Sequence, residues 1–94
     1  MNKEKENGIN IPDEIPYDRE LTAKAKILYG EIARLCGDKD SCYATNRTLG
    51  DLLNVSERAI ITMMKQLKDS KYIVTFNVAN IQTNQTMRVI SLNK

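Results

Sequence analysis

The chain has 94 residues, a hydrophobic fraction of 41% and a formal net charge of +2, values typical of one small domain with a single aliphatic core. It has no apolar run long enough to cross a bilayer and no apolar stretch after its charged start, so a membrane span and a secretory signal are excluded and a cytoplasmic protein is predicted. Histidine is absent, and the two cysteines do not match a zinc site, so we expect no cofactor and no enzyme activity. Cys36 and Cys42 are expected to be free thiols, buried or half-buried.

Residues 1–16 are polar, charged and interrupted by glycine and proline, which predicts a mobile leader ahead of a domain over residues 17–94. Ile9, Ile11 and Ile15 are suited to docking the leader on that domain. Residues 1–20 carry a net charge of −3 and residues 21–94 a net charge of +5. A basic body suits an anionic partner, although the same charge is ordinary for a soluble domain.

Apolar residues recur every three or four positions along the first predicted helix: Leu21, Ala25, Leu28, Ile32 and Leu35. The spacing predicts a helix over residues 23–35, with Thr22 as its N-cap and Gly37 ending it. A brief edge strand is expected over residues 42–44. A short helix then begins at Thr45 or Asn46 and ends near residue 53.

A third helix is predicted to begin after Ser56 and to continue to about residue 70, followed by strands over residues 72–78 and 85–92. Val74, Phe76 and Val78 share one face of the first of these strands, and Ile90 and Leu92 share a face of the second. The polar residues 79–84 between them predict a hairpin with a fairly long tip. This order predicts a mainly α fold with a small antiparallel sheet (α+β), a winged helix-turn-helix.

The strongest local signal spans residues 46–65. Gly50 suits a close approach between two helices, and Asn54 tolerates the positive φ that a tight turn requires. Ser56 is a good N-cap for the second helix of the motif. Apolar residues are spaced to point inward from both helices and the turn: Leu49, Leu53, Val55, Ile60 and Met63. The motif therefore predicts a helix-turn-helix whose third helix is the recognition helix.

If Ile60, Met63, Met64 and Leu67 face the core, the opposite face of the third helix presents the expected DNA-reading residues: Ser56, Glu57, Arg58, Ile61, Thr62 and Lys65. Arg58 suits a bidentate contact with guanine, and Glu57 suits cytosine or simply the positive end of the helix dipole. Ile61 neighbours Ile60, which favours a partly exposed Ile61.

Contacts to the DNA backbone are expected from Thr45, Asn46, Arg47, Lys68 and Lys71, although Lys65 and Lys68 also fit a merely solvated face. The hairpin is interpreted as the wing, and its expected contact residues are Asn80, Gln82, Thr83, Asn84, Gln85 and Arg88. Only Arg88 is basic in the hairpin, which predicts modest non-specific affinity and a shallow dependence on salt.

The segments 21–32, 42–46, 49–58 and 67–73 together resemble the N-terminal winged-helix domain of replication initiators and replisome organisers from plasmids and phages of low-GC Gram-positive bacteria. The resemblance covers about residues 15–92. It implies recognition of repeated origin DNA, a homodimer, and host replication proteins as further partners. In a dimer, the first helix or the leader is the expected contact.

Sequence-specific binding to double-stranded DNA is therefore the main hypothesis, at a plasmid or phage replication origin or, alternatively, at an operator. A second hypothesis belongs to another class of function: a winged helix that binds a protein, for example as an inhibitor of host machinery. An exposed Ile61 and an uncharged wing tip would favour that second hypothesis.

Overall fold

The computed structural model describes residues 15–93 of the chain. Three helices and three strands follow one another in the order predicted: α1 (Ala23–Cys36), β1 (Ser41–Tyr43), α2 (Asn46–Leu53), α3 (Glu57–Asp69), β2 (Ile73–Asn80) and β3 (Gln85–Leu92). The fold is a winged helix-turn-helix of the α+β class, as the sequence predicted. Of the predicted mobile leader, residues 1–16, positions 1–14 lie outside the described residues, and Ile9 and Ile11 with them. The last two residues of that leader belong to a short 3-10 helix, Ile15–Tyr17.

The first helix begins and ends where its capping residues predict. The Oγ1 atom of Thr22 accepts a hydrogen bond from the backbone N–H of Ala25 at 3.2 Å, and Gly37 ends the helix with a φ of 57°. The prediction that Leu35 lies on the buried face is wrong, since its side chain is 39% exposed. Cys36 lies four residues after Ile32, one helical turn on, and takes the buried position instead.

The three strands form an antiparallel sheet in the order β1-β3-β2. Its inner face packs on the helices through Ile73, Ile90 and Leu92, all of which are buried. Val74 and Phe76 lie on the opposite, outer face and are exposed, because successive side chains of a strand point to opposite sides.

The tip of the hairpin is shorter than the sequence predicted. Strand β2 continues to Asn80, so four residues, 81–84, connect it to β3. Three hydrogen bonds close this turn. The backbone N–H of Asn84 donates to the carbonyl of Asn80 at 2.8 Å, and the Oδ1 atom of Asn80 accepts from the N–H groups of Gln82 and Thr83. An asparagine side chain that bonds the backbone two residues on stabilises such a turn, which is why β2 extends further than its composition indicated.

The core lies between α1, α3 and the inner face of the sheet, and it extends to the residues just before α1. Ile15 is fully buried in it, as predicted. The hydroxyl of Tyr72 donates to the carboxylate of Asp18 at 2.7 Å, which joins the segment before α1 to the residue that precedes β2. Cys36 and Cys42 are buried thiols that form no disulfide, again as predicted, and Sγ of Cys36 donates to the carbonyl of Ile90 at 3.9 Å. Within residues 15–93, no helix has the length and apolar character that crossing a membrane requires.

Candidate nucleic-acid interface

Gly50 allows the turn between α2 and α3 to fold back closely on α2. A Cβ atom at this position would lie 2.8 Å from the backbone carbonyl oxygen of Val55, nearer than real Cβ atoms approach. A hydrogen bond of 2.9 Å from the N–H of Val55 to the carbonyl of Gly50 closes the same turn. The sequence predicted a close approach of the two helices, and the structure shows that the turn itself makes the closest contact.

Asn54 and Ser56 set the direction of α3. Asn54 has φ 58° and ψ 48°, the left-handed conformation that its side chain tolerates better than most. The Oγ atom of Ser56 accepts a hydrogen bond from the N–H of Ala59 at 3.1 Å and so caps the first turn of α3. These two residues end one helix and begin the next within three positions.

The helix α3 has one buried and one exposed face. Its buried residues are those predicted: Ile60, Met63, Met64 and Leu67. Every residue predicted to read DNA lies exposed on the other side: Ser56, Glu57, Arg58, Ile61, Thr62 and Lys65. The side chain of Ile61 is 57% exposed, as its position next to Ile60 indicated.

A family model described as a helix-turn-helix domain matches residues 19–73, which include α1, β1, α2, the turn and α3. The chain belongs to this family. No curated protein and no solved structure matches it. Membership supports binding to double-stranded DNA in general, and domains of this family are typically non-enzymatic.

The charged side chains on α3 of the helix-turn-helix domain differ in how far they are engaged. Within residues 15–93, Arg58 has no ion-pair partner, whereas Lys65 contacts the carboxylate of Asp69 at 2.9 Å. That pair is strongly exposed, so it contributes little to folding and separates readily. Thr62 donates its hydroxyl to the carbonyl of Arg58 at 3.3 Å, so this donor is already engaged within the helix. Arg58 is therefore an exposed cation on this face that no described carboxylate pairs with.

Lys68 and Lys71 lie at the other end of the recognition helix from Ser56. Lys68 is exposed in the last turn of α3, about 16 Å along the helix from Glu57 at about 1.5 Å per residue. Lys71 is exposed and has a φ of 68°, and its N–H donates to the carbonyl of Lys68 at 3.0 Å. The structure thus separates these two cations from Ser56, Glu57 and Arg58, whereas Lys65 lies within one turn of Lys68.

The start of α2 and the base of the wing of the helix-turn-helix domain meet at Arg88. Its guanidinium donates to Oδ1 of Asn46 at 2.7 Å and to the carbonyl of Ala44 at 2.6 Å. Its Nε atom is buried without an acceptor, and burial lowers the pKa of the group. Arg88 and Asn46, both predicted to contact DNA, are thus bonded to each other.

The neighbouring residues of α2 have different roles. Thr45 caps α2, its Oγ1 accepting from the N–H of Thr48 at 3.0 Å, while Arg47 is exposed. At the wing tip, Gln82, Thr83, Asn84 and Gln85 are exposed, and the side chain of Asn80 is engaged in closing the turn.

Sequence reasoning overlooked Ile81. Its side chain is 94% exposed at the tip of the wing, between polar neighbours. A branched apolar residue in a polar turn cannot contribute to the core. Its presence in the sequence could therefore have indicated an exposed contact residue. Apolar side chains at such tips insert between base steps in some minor-groove binders.

Proposed function

We propose that this chain binds double-stranded DNA sequence-specifically, with the N-terminal half of α3 in the major groove. The observation that carries the proposal is the exposed face of α3 with Arg58 unpaired on it. A guanidinium presents two parallel donors that match O6 and N7 of guanine, and this is the commonest specific contact in the major groove. Glu57, one residue earlier, is placed to accept from the amino group of cytosine.

Phosphate contacts are assigned to side chains around this face. Lys65 becomes available when its exposed pair with Asp69 opens, and Arg47 projects from the first turn of α2. Because Arg88 is bonded to Asn46 and Ala44, the described hairpin offers no cation of its own that is not already engaged. Few phosphate contacts mean that affinity falls slowly with salt, since the slope is about −0.9 per neutralised phosphate.

We assign the DNA target to a repeated replication origin of a plasmid or phage. The support is the resemblance of the segments around α1, α2 and α3 to the winged-helix domains of replication initiators. An operator is the alternative within the same class of function, because the same reading face serves either. Origin recognition would bring host replication proteins as further partners.

A protein-binding role has one specific observation in its favour. Ile61 exposes more than half of its side chain at the centre of the proposed reading face. An exposed branched apolar residue suits a thymine methyl group, and it equally suits an apolar pocket on a protein. The unpaired Arg58 beside it favours DNA, since a guanidinium finds its best acceptors in base edges and phosphates.

Fluorescence anisotropy with the whole chain tests the proposal. A set of random duplexes selected through rounds of binding should yield a consensus, and this consensus should bind at least about a thousandfold more tightly than scrambled duplex at physiological salt. The titration is repeated at two salt concentrations to give the number of phosphate contacts. Equal affinity for consensus and scrambled duplex would refute sequence-specific binding. No binding to any duplex even at low salt would leave the protein-binding role.

A further inference from the structure

The outer face of the sheet carries a continuous apolar surface that the helices do not cover. Strand register places Tyr43, Val89 and Phe76 side by side across β1, β3 and β2. The next row pairs Val78 with Met87. We call this the outer sheet face and define it by six residues: Tyr43, Val74, Phe76, Val78, Met87 and Val89.

The apolar side chains of this face are exposed except at its centre. Tyr43 is 62% exposed and Phe76 is 51% exposed, while Val89 between them is buried by its two neighbours. Tyr43, Val78 and Met87 also line a surface depression of about 310 Å³ toward the wing tip. Side chains that shield one another in this way form one coherent surface rather than scattered residues.

No charged side chain interrupts the face along the described strands. The positions that share it with the apolar residues are Ser41, Asn80, Gln85 and Ser91. Two copies of a surface without charge do not repel one another, so electrostatics does not oppose the packing of this face on itself. A charged partner protein would find no residue on this face with which to form an ion pair.

The exposed apolar area reaches what a pair of copies requires. From the exposed fractions, the outer sheet face offers roughly 500 Å², at the upper end of patches found on monomeric proteins. Two copies packed face to face would together bury about 1,000 Å² from this face alone, the size at which specific interfaces begin. Sheets packed in this way lie about 10 Å apart with interdigitated side chains.

We propose that the outer sheet face is a homodimer interface, on which the same face of a second copy packs around a two-fold axis. Pairing of two copies through the open edge of β2 is a different arrangement, and it would leave the apolar face exposed. Packing of face on face removes these side chains from water, and it leaves α3 free on each copy.

The first helix, where the sequence predicted a dimer contact, offers a less suitable surface. Ile27 is 59% exposed there, but it lies in a groove that Lys24 and Glu31 border. Burial of that groove against a copy of itself would desolvate both charges. Ile27 is therefore the matched control position, equally exposed and apolar but outside the outer sheet face.

Sedimentation equilibrium of the whole chain, in the absence of DNA, tests the dimer separately from the proposed function. The wild-type chain should be a reversible dimer at concentrations of roughly 100 µM. Phe76→Glu should raise the dimer dissociation constant by about tenfold or more, because it places a carboxylate in the apolar contact. Ile27→Glu should change that constant by less than about twofold. Val78→Lys serves as a second variant, and circular dichroism verifies the fold of each.

Two results would overturn the proposal. One is a wild-type chain that stays monomeric up to roughly 500 µM. The other is a dimer that Ile27→Glu dissociates while folded Phe76→Glu and Val78→Lys leave it intact. A dimer weakened by both substitutions on the face, and not by the control, supports it.

Discussion

Arg88 on β3 donates a hydrogen bond of 2.7 Å to Oδ1 of Asn46, the first residue of α2, which lies 42 positions earlier in the chain. A second bond joins the same guanidinium to the carbonyl of Ala44. The wing is thereby tied to the helix that supports α3. The one basic residue of the hairpin thus stabilises the domain, and the free end of the wing is left neutral.

Replacement of Arg88 should lower the free energy of unfolding. Arg88→Met keeps most of the side-chain length but removes both charge-assisted hydrogen bonds, so we expect a loss of about 1–3 kcal/mol in urea unfolding. A double-mutant cycle with Asn46→Ala should show a coupling of about 1 kcal/mol. Arg47→Met, at an exposed position, should stay within about 0.5 kcal/mol of the wild type. Additive effects of Arg88→Met and Asn46→Ala would show that the bond does not stabilise the fold.

Gly50→Ala should destabilise the domain even though alanine is the better helix former. The added methyl group meets the carbonyl oxygen of Val55 at 2.8 Å, and a backbone atom cannot move aside without opening the turn. The clash should cost about 1–3 kcal/mol, and the higher helix propensity should return up to about 1 kcal/mol. Thermal unfolding measures the balance, with Asp51→Ala as the exposed control in the same helix. A more stable Gly50→Ala variant would contradict the close approach seen here.

Arg58→Ala and Lys68→Ala should weaken DNA binding in different ways. Arg58→Ala should cost about 1–3 kcal/mol on the selected duplex and little on scrambled duplex, because it removes a contact to a base. Lys68→Ala should weaken both duplexes by a similar factor and lower the salt slope by about one phosphate. Anisotropy titrations of both variants on both duplexes give these numbers. If Arg58→Ala lost as much on scrambled duplex, its contact would be with phosphate.

Tyr72→Phe should change how stability depends on pH in the acid range. The hydrogen bond from Tyr72 is the main cause that lowers the pKa of Asp18 below its ordinary value of 3.8, and the N–H of Glu20 adds to it. A lowered pKa in the folded state stabilises the fold above pH 3.8, and this contribution is lost as the pH falls through the folded-state pKa. The variant should therefore lose less stability on acidification.

NMR titration of the Asp18 carboxyl measures this shift directly. Its pKa should rise toward 3.8 in Tyr72→Phe. It should not move in Tyr17→Phe, which alters an exposed tyrosine one residue away from Asp18. An unchanged Asp18 titration in Tyr72→Phe would assign the lowered pKa to the N–H of Glu20 instead.

The ends of the helices were predicted well because capping residues and residues that tolerate a positive φ have specific structural roles. Thr22 and Ser56 cap their helices, and Gly37 and Asn54 adopt the positive φ values that end α1 and α2. Hydrophobic spacing identified the buried face of α3 without error. It failed at Leu35, because helical spacing of three or four residues after Ile32 allows either Leu35 or Cys36 to be the next buried position.

The helix-turn-helix and its exposed recognition face follow from residues 46–65 alone, since caps, a tight turn and helical periodicity are properties of neighbouring residues. Only the tertiary structure decided which residues far apart in the sequence contact one another. It joined Arg88 to Asn46 and placed Phe76 beside Val89 and Tyr43 on an uncovered face. Alternation along a strand shows that two faces exist, but which of them meets the helices depends on packing between distant segments.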